Sequence, residues 1–175
     1  MSELSDTFEA NAREAAAIVE RCAHAAGAVR QAVERITANT SRIVIGGPEY
    51  VESEIGNSLF ELPGVIRKPA DEQLATADAG ITGAFAGVAS SGSVCVALGM
   101  ELTATASLLM PLHIVLLCAA RIVARPRDLF DPACLGGEGL RRNLVFITGP
   151  SATADMGPLV RGVHGPHRLH ILLLE

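Results

Sequence analysis

Arg42-Ile-Val-Ile-Gly-Gly-Pro48 is a short β-branched run ending in two glycines, the pattern of a buried strand that feeds a loop and then a helix. Glu49–Leu59 is the helix this predicts. Val65–Ile66 reads as a further short strand and Asp71–Thr76 as a short helix. His113-Ile-Val-Leu-Leu-Cys118 and Leu144–Thr148 read as two more buried strands, and Leu169–Leu174 as a last one. Strands alternating with helices predict an α/β fold, a mostly parallel central sheet flanked by helices.

Upstream of this core, apolar residues recur at Phe8, Ala12, Ala15, Ile18, Val19, Cys22, Ala26, Val29, Val33 and Ile36. That is helical spacing, so one long N-terminal helix, or two broken near Gly27, is expected over Phe8–Thr37. In the middle, Asp78–Ala89 and Ser93–Leu98 are rich in small and β-forming residues and are joined by Ser90-Ser91-Gly92. They read as two strands meeting at a tight turn, an antiparallel element interrupting the sheet. Arg125–Gly139, with two prolines and three glycines, reads as a mobile surface helix-and-loop connection.

A chain of 175 residues holds one complete hydrophobic core and not comfortably two. Residues 1–175 are therefore expected to form a single domain, with 1–40 as an N-terminal helical segment. Aromatics make up 3% of the chain, the net charge is −5 and the 14 basic residues are dispersed, which disfavours nucleic-acid binding. Cys22, Cys95, Cys118 and Cys134 are far apart and form no C-x-x-C pair, so buried reduced thiols are expected rather than a zinc or iron–sulfur site. The acidic start lacks a signal-like apolar stretch. The longest apolar run, Leu108–Ala120, contains Pro111 and His113 and falls short of the roughly 20 residues of a membrane span. A cytoplasmic location is the expectation.

Three stretches invite a chemical reading. In Ile147-Thr-Gly-Pro-Ser-Ala-Thr-Ala-Asp-Met156 a strand runs into a loop carrying Gly149, Ser151, Thr153 and Asp155. Ligands in open α/β sheets gather beyond the carboxyl ends of strands, so these groups suit a small polar ligand. The plainer reading is a Gly-Pro turn whose side chains cap a short helix. Arg161-Gly-Val-His-Gly-Pro-His-Arg-Leu-His170 offers three histidines, but Pro166 and the strand position of His170 argue against a shared metal. His164 stands out, because Gly162 and Gly165 let backbone approach a ligand. The turn Ser90–Ser93 can form an anion nest with Ser91, Gly92 and Ser93, or can be an ordinary hairpin turn.

Gly149-Pro-Ser-Ala-Thr-Ala-Asp155, Gly162-Val-His-Gly-Pro166, the segment Gly87–Val94 and the segment Ser107–Val115 together resemble the lactate-utilization protein C family, over roughly Asp78–Glu175. That resemblance implies a fold similar to ribose-phosphate isomerases and CoA-transferases. It also implies a part in bacterial L-lactate oxidation to pyruvate beside iron–sulfur proteins, whose clusters would sit in those partners, with no cofactor bound directly here. Whether the chain is itself an enzyme stays open. The family usually has glutamate and threonine before the glycine of the middle turn, where this chain has Ser90 and Ser91. A second reading is a stand-alone binder or enzyme for a carboxylate, sugar phosphate or CoA ester. In it Asp155 is base or orienter and His164 the acid–base partner, while Ser91, Gly92, Ser93, Gly149, Ser151, Thr153, Gly162 and Gly165 hold the anion. Homo-oligomerization through the Ala-rich N-terminal helix is a third.

Overall fold

The structure is a computed structural model and describes residues 3–47, 50–99, 102–139, 143–155 and 157–175. Its first half runs α1 (Glu3–Glu14), β1 (Ile18–Cys22), α2 (Ala26–Ile36), β2 (Ile43–Gly46), α3 (Ser53–Leu59), α4 (Asp71–Leu74), β3 (Ala79–Gly83), β4 (Ala86–Val88) and β5 (Ser93–Ala97). The second half runs α5 (Thr103–Leu108), β6 (Leu112–Cys118), β7 (Ile122–Val123), α6 (Pro132–Gly139), β8 (Leu144–Ile147), β9 (Ala152–Thr153), β10 (Val160–Arg161) and β11 (Arg168–Leu174). The expected helix start at Glu49, together with Pro48, lies outside the described residues; α3 covers the rest of that expectation from Ser53 onward.

Five strands form a parallel sheet in the order β1-β11-β6-β3-β2. Helices cover both faces, so its central strands are buried on both sides and read as unbroken apolar runs. On one face Leu112, Ile114 and Leu116 of β6 pack with Val29 and Val33 of α2 and Ile55 and Leu59 of α3. On the other, Val115, Leu117, Ile171 and Leu173 meet Phe8 and Ala12 of α1. α5 lies close against β3, where a Cβ on Gly80 would come 1.9 Å from the carbonyl oxygen of Ala106.

The stretch expected as one strand, Asp78–Ala89, is two: β3 joins the parallel sheet, and only β4 pairs antiparallel with β5 across Ser90–Gly92. This pair does not interrupt the parallel sheet. It belongs to a second sheet, β7-β4-β5-β8, which lies on the α1 side through Val94 and Ile122. β8 is an edge strand of that sheet and only half-buried, not the buried strand expected at Leu144–Thr148. Val65 makes a single bridge to Ile43 and no strand.

The expected helix over Phe8–Thr37 is corrected: a strand stands in its middle. Ala15, Ile18, Val19 and Cys22 satisfied helical spacing, yet β1 pairs residue for residue with β11 from Ile18↔His170 to Cys22↔Leu174. β1 is an edge strand with only Val19 fully buried and Ile18 48% exposed, so it carries no alternating signature. The break is at Ala16, whose φ of 67° puts it in the left-handed region where a helix C-terminus normally uses glycine. Ala16→Gly is expected to raise stability by about 0.5–1 kcal/mol, read as a higher urea midpoint at unchanged slope. The apolar face of α1 is covered by its own chain, with Phe8 and Ala12 fully buried, so that face is not left over for a second copy.

Candidate functional site

The C-terminal loops lie at the amino-terminal rim of the parallel sheet. The amides of His167 and Arg168 both donate to the carbonyl of Pro111, and Arg168 pairs with Leu112, the first residue of β6. This corrects the argument from strand ends. β8, which leads into the Gly149–Asp155 loop, is antiparallel to β5 in the second sheet, so the rule for carboxyl ends of parallel strands does not govern it.

The two motif-bearing loops nevertheless converge. Ser151 N–H donates to the Pro166 carbonyl and Gly162 N–H to the Ser151 carbonyl, both at 2.9 Å. A Cβ on Gly165 would sit 3.1 Å from Ser151 Cβ. Gly162, at φ 78°, passes directly under the His167 ring, which leaves no room for a side chain. Thr153 and Val160 pair in the β9–β10 ribbon, so Thr153 ends a two-residue strand where a capped short helix was the plainer expectation. Thr153 Oγ1 donates to Asp155 Oδ2 at 3.1 Å. Met156 of the motif lies outside the described residues.

Two adjoining cavities open on this rim. One, of about 310 Å³, is lined by Thr153, Asp155, Val160, Val163 and His164 among others. The other, of about 380 Å³, is lined by Leu108, Leu109, Pro111, Gly162, His164, Gly165 and His167. His164 borders both, standing between a cavity lined by Asp155 and Thr153 and one lined by Leu108, Leu109, Pro111 and glycines. Such an imidazole can donate to or take a proton from a bound carboxylate or hydroxyl while Asp155 and Thr153 orient it.

The Ser90–Ser93 turn lines neither of these cavities. Ser91 Oγ and Ser93 Oγ lie 2.7 Å apart, and Ser93 Oγ is 2.6 Å from Thr148 Oγ1, which ties the turn to the foot of the Gly149 loop. Gly92 (φ 64°) and Gly149 (φ 71°) face α1, where a Cβ would fall 2.1 Å from Ala12 N and 1.9 Å from the Ala15 carbonyl oxygen. Asn11 Nδ2 donates to the Ala89 carbonyl at 2.7 Å. The glycines, expected as ligand contacts, therefore have a packing reason of their own: they seat the first helix.

The remaining strand histidines face elsewhere. His170 Nε2 is 3.5 Å from Glu20 Oε2 across β1 and β11, and burial holds its pKa below the ordinary value. His113 is wholly enclosed beside Thr82. Among the described residues, no three His, Cys, Asp or Glu side chains are grouped to hold a metal ion. Of the cysteines, all free, only Cys95 is buried; Cys22, Cys118 and Cys134 are half-buried, which corrects the expectation of four buried thiols. Sequence reading missed a second polar group at the opposite rim, where His24 meets Cys118 and Glu52. Residues 94 positions apart carry no local signal of meeting.

Residues 6–174 match the family described as the LUD domain. Over 109 residues, 59% of the chain, it is 37% identical to the lactate utilization protein C of Halalkalibacterium halodurans, covering 47% of that protein. Over 98 residues, 55% of the chain, it is 34% identical to an uncharacterized protein of Neisseria meningitidis serogroup B, covering 42% of it. These alignments thus span less than half the length of the curated relatives. The crystal structure of a DUF162 family protein from Deinococcus radiodurans superposes with a TM-score of 0.74 over 100% of this chain and 99% of that one, at 21% identity, which shows a shared fold. Among the described residues, no helix is long and apolar enough to cross a membrane.

Proposed function

The chain belongs to the LUD domain family, and from that premise we propose that it is a cytoplasmic component of bacterial L-lactate utilization, acting beside iron–sulfur proteins that carry the redox clusters for oxidation to pyruvate. The observation that carries the reading is the placing of His164, Asp155 and Thr153 on one cavity, within the two motifs that resemble those of the lactate-utilization protein C family. A cavity of this size takes a small hydroxy- or oxo-acid, with the imidazole on its carboxylate and the Thr153–Asp155 pair on its hydroxyl. Anaerobic co-purification of the tagged chain from its native host is expected to recover protein-bound iron and acid-labile sulfide. Recovery of the chain alone would remove the assembly from the account.

A second reading is a stand-alone binder or enzyme for a carboxylate, sugar phosphate or CoA ester, favoured by the second cavity, whose apolar wall of Leu108, Leu109 and Pro111 suits a larger acyl or sugar moiety. L-Lactate and pyruvate are expected to raise the melting temperature of the isolated chain, and His164→Ala to abolish the rise. Stabilization by a sugar phosphate or a CoA ester, with none by either acid, would favour the second reading.

A further inference from the structure

The carboxyl-terminal rim of the parallel sheet holds a group that the lactate reading does not use. Cys118 ends β6, the central strand. His24 follows β1 at one edge of the sheet, and Glu52 follows β2 at the other. All three meet: Cys118 Sγ is 4.0 Å from His24 Nδ1, and His24 Nε2 is 3.9 Å from Glu52 Oε1. His24 Nε2 is buried and has no hydrogen-bond partner. A carboxylate on that side favours the tautomer with its proton on Nε2, which leaves Nδ1 as an acceptor toward the thiol. This is the order base-orienter, base and nucleophile, at the carboxyl ends of the parallel strands, where ligands of open α/β sheets gather.

We propose that Cys118, His24 and Glu52 form a nucleophilic thiol site that takes a soft carbon electrophile. In the step the Cys118 thiol proton passes to His24 Nδ1 and the sulfur forms a bond to the electrophilic carbon. The leaving group departs with the electron pair of the bond that breaks, and no oxidant or reductant takes part. A disulfide with Cys22 is not the alternative. Cys22 and Cys118 flank Leu174 in one register row, which sets their Cα atoms roughly 9.5 Å apart, beyond the about 7 Å that a disulfide can bridge.

Iodoacetamide is the probe, used on the full folded chain at limiting concentration, with labelling of each cysteine followed by peptide mass. Here the carbon–iodine bond breaks and iodide leaves. Cys134 is half-buried like Cys118, so exposure alone gives the two similar rates, while Cys95 is buried with its thiol pushed up to about 12 by desolvation. Cys118 is expected to label at least about tenfold faster than Cys134 and Cys22, with Cys95 slowest. His24→Gln is expected to remove that advantage, and Glu52→Gln to reduce it about threefold, with the Cys134 rate unchanged in both. The Cys134 rate in the same molecules reports any general loosening of the fold. Labelling of Cys118 no faster than Cys134, or an advantage that survives His24→Gln, overturns the proposal.

Discussion

Gly149→Ala is expected to cost at least about 3 kcal/mol, a large share of the roughly 5–15 kcal/mol that holds a domain of this size together. Two penalties combine. An alanine at φ 71° is forced into the left-handed region, and its Cβ would lie 1.9 Å from the Ala15 carbonyl oxygen. That neighbour is backbone at the end of α1, and Phe8 and Ala12 on the same helix are fully buried against the sheet, so it has little freedom to retreat. Gly92→Ala meets the same helix one turn earlier, at Ala12 N, and belongs to the same class. Gly27→Ala, in α2 with nothing within 4 Å of the new methyl, is the counter-case and should stabilize by up to about 1 kcal/mol. Urea unfolding of the three variants checks the set; a Gly149→Ala midpoint equal to that of the parent would mean that α1 does not dock where these glycines lie.

Acid is expected to weaken the fold well above the carboxylate range. Burial pushes the His113 pKa down to about 3, from an ordinary 6.5. One ring nitrogen pairs with Thr82 Oγ1 at 2.9 Å, and the other, Nδ1, has no partner. Between those two values the unfolded chain binds a proton that the folded chain does not. Stability therefore falls with falling pH, by about 1.4 kcal/mol per unit and about 2 kcal/mol in all by pH 5. His170, also lowered by burial, acts in the same direction. Glu9 and Glu20, lowered by hydrogen bonds from Arg21 and Arg35, and Asp78, lowered by the backbone amides of Ser41 and Arg42, lose their contributions only at more acid pH, as they protonate. Measuring unfolding free energy from pH 7 to 5 isolates the histidines. The double variant Thr82→Val/His113→Leu should flatten the slope by the His113 share, and an unchanged slope would place His113 in contact with water.

The parts of the fold legible in sequence are those where burial is symmetric. β2, β6 and β11 lie in the parallel sheet with both faces covered, so their apolar runs could mean little else. β1 was illegible for the complementary reason: an edge strand with one fully buried residue imposes no pattern, and a helical spacing fitted the gaps. α5 is short and, apart from Leu108, built from Thr, Ala and Ser, and its close seat on Gly80 is a long-range fact.

The same division runs through the candidate site. Ser151, Thr153, Asp155, Gly162, His164 and Gly165 were legible because two short motifs hold them, and the hydrogen bonds of Ser151 to Pro166 and Gly162 bring those motifs together. What the motifs concealed is that the second feeds the amino ends of the parallel strands. They also gave no hint that Gly92 and Gly149 answer to α1, whose residues lie some 80 and 134 positions earlier in the chain. Cys118 and His24 belong to no motif at all.

The central claim, that the loops around His164 and Asp155 bind a small carboxylate, is tested most directly by following the imidazole NMR resonances of the five histidines while L-lactate or pyruvate is added. The account predicts a saturable shift at His164, a smaller one at His167 on the shared cavity wall, none at the enclosed His113, and loss of the His164 response in Asp155→Asn. A titration that leaves His164 unmoved, or that moves His24 at the opposite rim instead, would contradict it.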